Sequence, residues 1–261
     1  MQEVLKSGET LQAFLDRKVE EFNRVSFIKD DPVSIPHQFS LKQDIEISGF
    51  FAALFAWGQR ATILNKCHYL LSLMDEAPYE FVKKAREPDL ARLKDFKHRT
   101  FMSEDIIYLI SFLQDHYLRY DSLEDAFLPE KEESLAPLTI FGHFHDRVFS
   151  LREYPQRTKK HIADPRKNSS CKRLAMFLRW MVRKDNKDVD FGIWNRIGTE
   201  NLLCPLDLHV HRTARKLGLV TRRQADFKTA MELTEQLKKF NPKDPVKYDY
   251  ALFGLSVNGE K

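Results

Sequence analysis

Residues 172–183, KRLAMFLRWMVR, decide the fold class. Leu174, Phe177, Leu178, Met181 and Val182 recur at the i, i+3, i+4, i+7 spacing of one helical face. Ser169 and Ser170 stand just ahead of them as candidate N-caps. The same spacing returns elsewhere. Ile106, Leu109, Ile110, Leu113 and Tyr117 follow Ser103, another good cap. Val210, Thr213, Ala214 and Leu217 follow Asp207, and Gly218 is placed to stop that helix. Residues 41–57 are apolar on most sides, which marks a buried central helix. Glycine is scarce, with nine in 261 residues, and alternating strand patterns are hard to find. The expectation is an all-α fold.

A chain of this length holds one large domain or two small ones and can bury a core without disulfide or metal staples. Its 43% hydrophobic and 31% charged residues describe an ordinary globular mixture rather than a disordered or fibrous chain. Mean hydropathy is −0.47, and no apolar run is long enough to span a membrane. The first 22 residues, MQEVLKSGETLQAFLDRKVEEF, are charged throughout and lack the apolar stretch of a secretory signal, so a cytosolic protein is expected. The three cysteines, Cys67, Cys171 and Cys204, are too few and too widely spaced for a disulfide framework or a four-cysteine metal site. Breaks fall at Asp30–Pro32, Ala77–Pro78, Glu87–Pro88, Leu128–Pro137, Asp164–Pro165, Cys204–Pro205 and Asn241–Pro245. Residues 130–137, EKEESLAP, read as an exposed connection.

Net charge is +4 and the isoelectric point is near 8.8. The distribution says more than the total. Between Arg152 and Arg173 there are eight Lys/Arg, opposed only by Glu153 and Asp164. Such a surplus is a footprint for a polyanion, although a solvated loop would read the same way.

Two further stretches carry chemistry: 164–183, a basic turn feeding an amphipathic helix, and 204–219, CPLDLHVHRTARKLGL, a proline, an acidic N-cap and a second helix. On the first helix Lys172, Met176, Arg179 and Arg183 share the side opposite the apolar stripe. Lys172 falls in the first turn, where the helix dipole disfavours a cation. A lysine must be neutral to attack an electrophile, so that position suits a nucleophile; a surface lysine on a phosphate is the plainer alternative. Asp207 needs no role beyond capping, and its company is what raises it. His209 and His211, two residues apart on a helix, do not face one another, so no metal site is expected from them.

The stretch 205–219 resembles the "P-(V/L)-D-x-H-V-x-R-…-R-L-G-L" segment of the helix-hairpin-helix DNA glycosylases. Pro205, Asp207, His209, Val210, Arg212, Arg215, Leu217, Gly218 and Leu219 match. Residues 169–183, SSCKRLAMFLRWMVR, resemble the hairpin and helix of the archaeal 8-oxoguanine glycosylase branch, with Lys172 at the position of the catalytic lysine and Asp207 at that of the catalytic carboxylate. Residues 55–66, FAWGQRATILNK, resemble a turn whose glutamine approaches the DNA; Gln59, Arg60 and Trp57 would stand there. The chain also resembles a bacterial family of uncharacterised proteins sharing DIEI…AWGQR, KRLAMFLRWMVR, PLDLHVHR and DPVKYDYALFGL.

The resemblance implies a single glycosylase-like unit over 1–261, with two helical subdomains and a cleft between them. One subdomain is expected from about 1–40 plus 205–261, and the other from about 41–204, which contains 164–183. It implies a DNA N-glycosylase with AP-lyase activity on an oxidised purine, with 8-oxoguanine foremost. Lys172 and Asp207 would be catalytic. Arg166, Lys167, Ser169, Ser170, Arg173, Gln59, Arg60, His209 and Arg212 would contact DNA, and Trp57, Met176 and Phe177 would line the base pocket. Phe177 also falls in the core stripe. Neither cofactor nor metal is implied. The partner would be damaged double-stranded DNA, met by a monomer at the nucleoid with no membrane involved.

One departure stands out: 164–171, DPRKNSSC, lacks the glycines that such a hairpin carries. A nucleic-acid-binding protein that keeps the fold without the chemistry is the alternative this departure favours. A helical interaction protein with no nucleic-acid role is a third reading.

Overall fold

The computed structural model describes residues 8–129 and 134–257. Part of the connection expected at 130–137 therefore lies outside the described residues. In chain order the helices are α1 (Leu11–Phe22), α2 (Lys42–Phe55), α3 (Arg60–Leu73), α4 (Pro78–Lys84), α5 (Glu87–Ala91), α6 (Ser103–Tyr117), α7 (Pro137–Val148), α8 (Lys172–Val182), α9 (Leu208–Lys216), α10 (Phe227–Phe240) and α11 (Tyr248–Val257), with short 3-10 turns between several of them. The sheet content of the described residues is one antiparallel pair, Lys97–His98 with Phe101–Met102. The fold is thus helical, as the spacing indicates. No helix among the described residues is long and apolar enough to cross a membrane.

The chain divides into two compact units. The first takes in the described residues up to Phe27, the short piece Ala136–Leu138, and everything described from Asp164 onward; the second takes in the described part of Ile28–Leu135 and Thr139–Ala163. This grouping differs from the expected one. Residues 164–204 cluster with the C-terminal helices, because polar ties run from that stretch to residues 226, 244 and 249.

In the second unit, every residue of α2 from Ile45 to Phe55 is buried. That run includes Glu46, whose carboxylate is met by Tyr117 Oη at 2.8 Å, Ser122 Oγ at 2.5 Å and the Leu123 amide at 3.0 Å. A buried charge persists only when it is bonded in this way. α6 starts one residue earlier than its apolar pattern suggests. Ser103 is its first residue rather than its cap, and Asp105 accepts the Met102 amide at 2.9 Å.

In the first unit, α11 is the central helix, with Tyr248, Tyr250, Ala251, Leu252 and Leu255 buried. It packs on α1 and α9. The approach of α1 depends on Gly254: a Cβ there would lie 2.2 Å from the Phe22 ring. On α8 the buried set is wider than the expected stripe. It adds Ala175, Arg179 and Trp180 to the five stripe residues.

Gly254→Ala gives a test of sign. In an exposed helix the change stabilises by about 1 kcal/mol. Here the overlap with Phe22 should destabilise by about 1–3 kcal/mol. Denaturant unfolding of both proteins measures it, and a gain in stability would contradict the α1–α11 packing.

Candidate active site

The turn ahead of α8 is built without glycine. Asp164 accepts the Arg166 amide at 3.0 Å and opens a short 3-10 turn over Pro165–Lys167. Asn168 and Cys171 then take the left-handed conformation, at φ of 59° and 51°. That conformation costs a non-glycine residue roughly 1–2 kcal/mol, and asparagine tolerates it better than most. The turn is tied to the start of α10 in two ways. Asn168 Nδ2 donates to Asp226 Oδ2 at 2.9 Å, and the Phe227 amide donates to the Asn168 carbonyl at 3.2 Å. Two residues held by neighbours therefore do the work for which the sequence lacks glycines. Cys171, not Ser169 or Ser170, is the residue before the helix, and no side chain caps it; Ser169 Oγ accepts the Cys171 amide at 3.4 Å.

Lys172 is thus delivered on the first turn of α8. Asp207 is delivered as the N-cap of α9, after the buried run Leu202–Leu206. Its two oxygens do separate jobs. Oδ1 accepts the amides of His209 and Val210, both at 2.9 Å. Oδ2 lies 3.2 Å from Lys172 Nζ. The side chains are 27% and 23% exposed respectively, so solvent reaches the pair. Burial pushes the Asp207 carboxyl up, but the Lys172 charge and the two amides outweigh it and leave it below the usual carboxylate range. The result is a pre-oriented carboxylate paired with the Lys172 ammonium. Both residues belong to the first unit, whereas the sequence reading drew them from different subdomains.

Behind the pair lies an ionic layer that the sequence did not assign. Arg179 and Arg183 were expected to share an open side of α8 with Lys172; both are buried. Arg179 Nη1 donates to Asp249 on α11, and its Nε reaches Asp190 at 3.3 Å. Arg183 contacts Asp185 at 2.6 Å, Asp244 at 3.0 Å and Asp190 at 3.1 Å. The Arg179 guanidinium also sits over the Tyr250 ring at 4.2 Å. Burial pushes the Asp249 carboxyl up to about 6, with Asp207 and Asp190 adding to the rise and Arg179 and Lys172 opposing it. The signal in the sequence was an aspartate within the apolar block 244–255 and an arginine seven residues after Lys172.

The other expected residues divide. His209 and Arg212 are exposed on α9, while His211 turns inward and its Nε2 lies 2.9 Å from the Arg222 carbonyl. Arg166 and Lys167 are exposed; Ser169, Ser170 and Arg173 are half-buried. Met176 is half-buried one turn beyond Lys172. Phe177 is fully buried, edge-on to Trp194 at 5.4 Å, so it is core and not a surface for a base. Trp180 and Trp194 are core as well. Trp57, Gln59 and Arg60 belong to the second unit. Gln59 and Arg60 are exposed at the start of α3, and the Arg99 guanidinium covers one face of Trp57 at 4.2 Å. The expected basic footprint is partly spent. Arg157 pairs with Asp105 at 3.2 Å and Glu104 at 3.5 Å, and Arg166 pairs with Asp164 at 2.8 Å. No metal-ligating group of three or more His, Cys, Asp or Glu occurs among the described residues.

A carboxyl raised by burial contributes stability at low pH that is lost as pH climbs through its folded value. For Asp249 that window runs from the ordinary 3.8 to about 6. Thermal melts of the wild type and Asp249→Asn across this range should therefore diverge, with the wild type losing stability relative to the variant as pH rises. Parallel profiles would contradict the buried carboxyl. Comparison with curated proteins and with solved structures returns no match. Residues 31–258 match the model of a family described as "Protein of unknown function (DUF2400)". That span covers most of the chain, and the protein belongs to this family.

Proposed function

We propose that the protein is a DNA repair glycosylase with AP-lyase activity. The observation that carries this reading is the partly exposed Lys172 Nζ, 3.2 Å from the Asp207 carboxylate. A primary amine beside a pre-oriented anion suits attack on a sugar carbon that is becoming positive. In the proposed reaction the Lys172 ammonium passes one proton to the departing base, and the freed Nζ lone pair forms a bond to C1′ as the N-glycosidic bond breaks and the base leaves with the bonding electrons. Opening of the sugar ring, with a proton passing to its oxygen, gives an imine to Lys172. Loss of the C2′ proton then expels the 3′ phosphate by β-elimination. Asp207, held below the usual carboxylate range, stays an anion at neutral pH. Its part is to stabilise the positive sugar and hold the amine, rather than to keep the lysine's proton. The target nucleotide has to leave the stack to reach the pair. The choice of an oxidised purine, with 8-oxoguanine first, follows from the resemblance in 164–219.

A second reading is a nucleic-acid-binding protein without catalysis. One observation favours it: Asp207 caps α9 and pairs with Lys172, so both residues have structural work already.

Borohydride reduction separates the two. Wild type incubated with duplex carrying 8-oxoguanine or an abasic site should give a covalent protein–DNA adduct. Lys172→Gln should abolish it, and Asp207→Asn should slow base removal by about 10²–10³-fold, the size of a lost electrostatic stabiliser. Salt-sensitive binding with no adduct from either substrate would replace the first reading by the second. An absence of DNA binding at moderate salt would remove both.

A further inference from the structure

We infer that the exposed face of α9 and the segment 222–228 form a track for the phosphate backbone of nucleic acid, leading away from the Lys172–Asp207 pair. The inference deepens the reading of that pair as a nucleic-acid site and extends the DNA contact expected at Arg212 to Arg215, Lys216, Arg223 and Lys228, which the sequence reading did not assign. Residues 208–228 carry six Lys/Arg against one acid, Asp226.

The acid is turned inward. Asp226 Oδ1 accepts the Thr229 amide at 2.9 Å, and Oδ2 accepts from Arg222 Nη2 at 2.8 Å and Asn168 Nδ2 at 2.9 Å. Arg222 is likewise spent, its Nε donating to Thr229 Oγ1 at 3.0 Å. Glu232, further along α10, is occupied by the amide and hydroxyl of Thr221 at 2.8 and 2.9 Å. The cations that remain exposed are Arg212, Arg215, Lys216, Arg223 and Lys228.

The same bonds join the three segments into one surface. The turn ahead of Lys172 is tied to Asp226 and Phe227 through Asn168. The Arg222 carbonyl is tied to α9 through His211 at 2.9 Å. On α9 the buried residues are Val210, His211 and Ala214, which leaves Arg212, Arg215 and Lys216 together at i, i+3 and i+4. Like charges at that spacing destabilise a helix. Arg215 and Lys216 gain something from the C-terminal dipole, but Lys228, second residue of α10, stands where the dipole disfavours a cation. Lys172 stands in the same unfavourable place on α8. Cations gathered against helix physics around a reactive pair fit an external polyanion, and charge complementarity selects a phosphate backbone.

The test is the salt dependence of binding to an undamaged 20-base-pair duplex, read by fluorescence anisotropy, so that chemistry plays no part. The quadruple variant Arg215→Gln, Lys216→Gln, Arg223→Gln, Lys228→Gln should bind at least about tenfold more weakly at about 0.1 M salt, and its log–log salt slope should shrink by about three to four. A control with equal charge loss elsewhere, Lys29→Gln, Lys94→Gln, Lys239→Gln, Lys243→Gln, should keep the wild-type slope. The double variant Arg223→Gln, Lys228→Gln, which leaves α9 intact, should lose about two from the slope and guards against a folding defect in the quadruple. The inference is overturned if the variant and control sets lose affinity equally, if neither does, or if the wild type binds anionic phospholipid vesicles in preference to duplex. A wild type that binds duplex through this surface but gives no borohydride adduct would leave the track standing and remove the glycosylase reading. A wild type that traps DNA while the quadruple variant binds normally would do the reverse.

Discussion

The contact between Lys172 Nζ and Asp207 Oδ2 is the constraint on which the chemistry proposed for the first unit turns. It joins the starts of two helices, α8 and α9, each of which brings its end dipole to the same point. The N-terminal dipole of a helix favours an anion and disfavours a cation. Asp207 therefore sits where α9 wants a carboxylate, and it supplies the counter-charge for a lysine that α8 alone would disfavour. Because Oδ1 is taken by two backbone amides, only Oδ2 faces the amine, and the carboxylate cannot rotate without uncapping α9. The carboxylate of the proposed reaction is thus held by main-chain hydrogen bonds.

A buried ionic layer on α8 adjoins the pair. Arg179 and Arg183 fill the next turns of the same side of α8 and are neutralised by Asp190, Asp249 and Asp244. Breaking such a buried pair from one side typically costs about 3–5 kcal/mol, so α8 is clamped to α11 and to the residues after it. Asp249 couples this layer electrostatically to Lys172 and Asp207. The left-handed turn at Asn168 and Cys171 is held at one end by Asp226 and Phe227 and at the other by the start of α8.

Local periodicity made the helices legible. The stripes on α6, α8 and α9, the cap at Asp207 and the stop at Gly218, with φ of 72°, are all read from residue spacing. Lys172 and Asp207 stood out as candidates, and the structure brings them together. What spacing could not give was the environment of the far side of α8. Arg179 and Arg183 look solvent-facing from their own helix, and only the acids of distant segments show that this side is buried. The same limit applies to the basic stretch after residue 152. Arg157 counts as a free cation in the sequence, but Asp105, fifty-two residues away, takes it up. Cap positions shifted by one residue, as at Ser103 and Cys171, because the backbone N–H groups there donate to whichever acceptor the turn presents.

The reaction proposed for the pair is tested most directly by locating the borohydride-trapped adduct in the chain. After nuclease and trypsin digestion, mass spectrometry should find the residual sugar on the peptide 168–173, NSSCKR, with cleavage blocked at Lys172. An adduct on any other lysine or on the terminal amine, with Lys172 unmodified, would contradict the chemistry assigned to it.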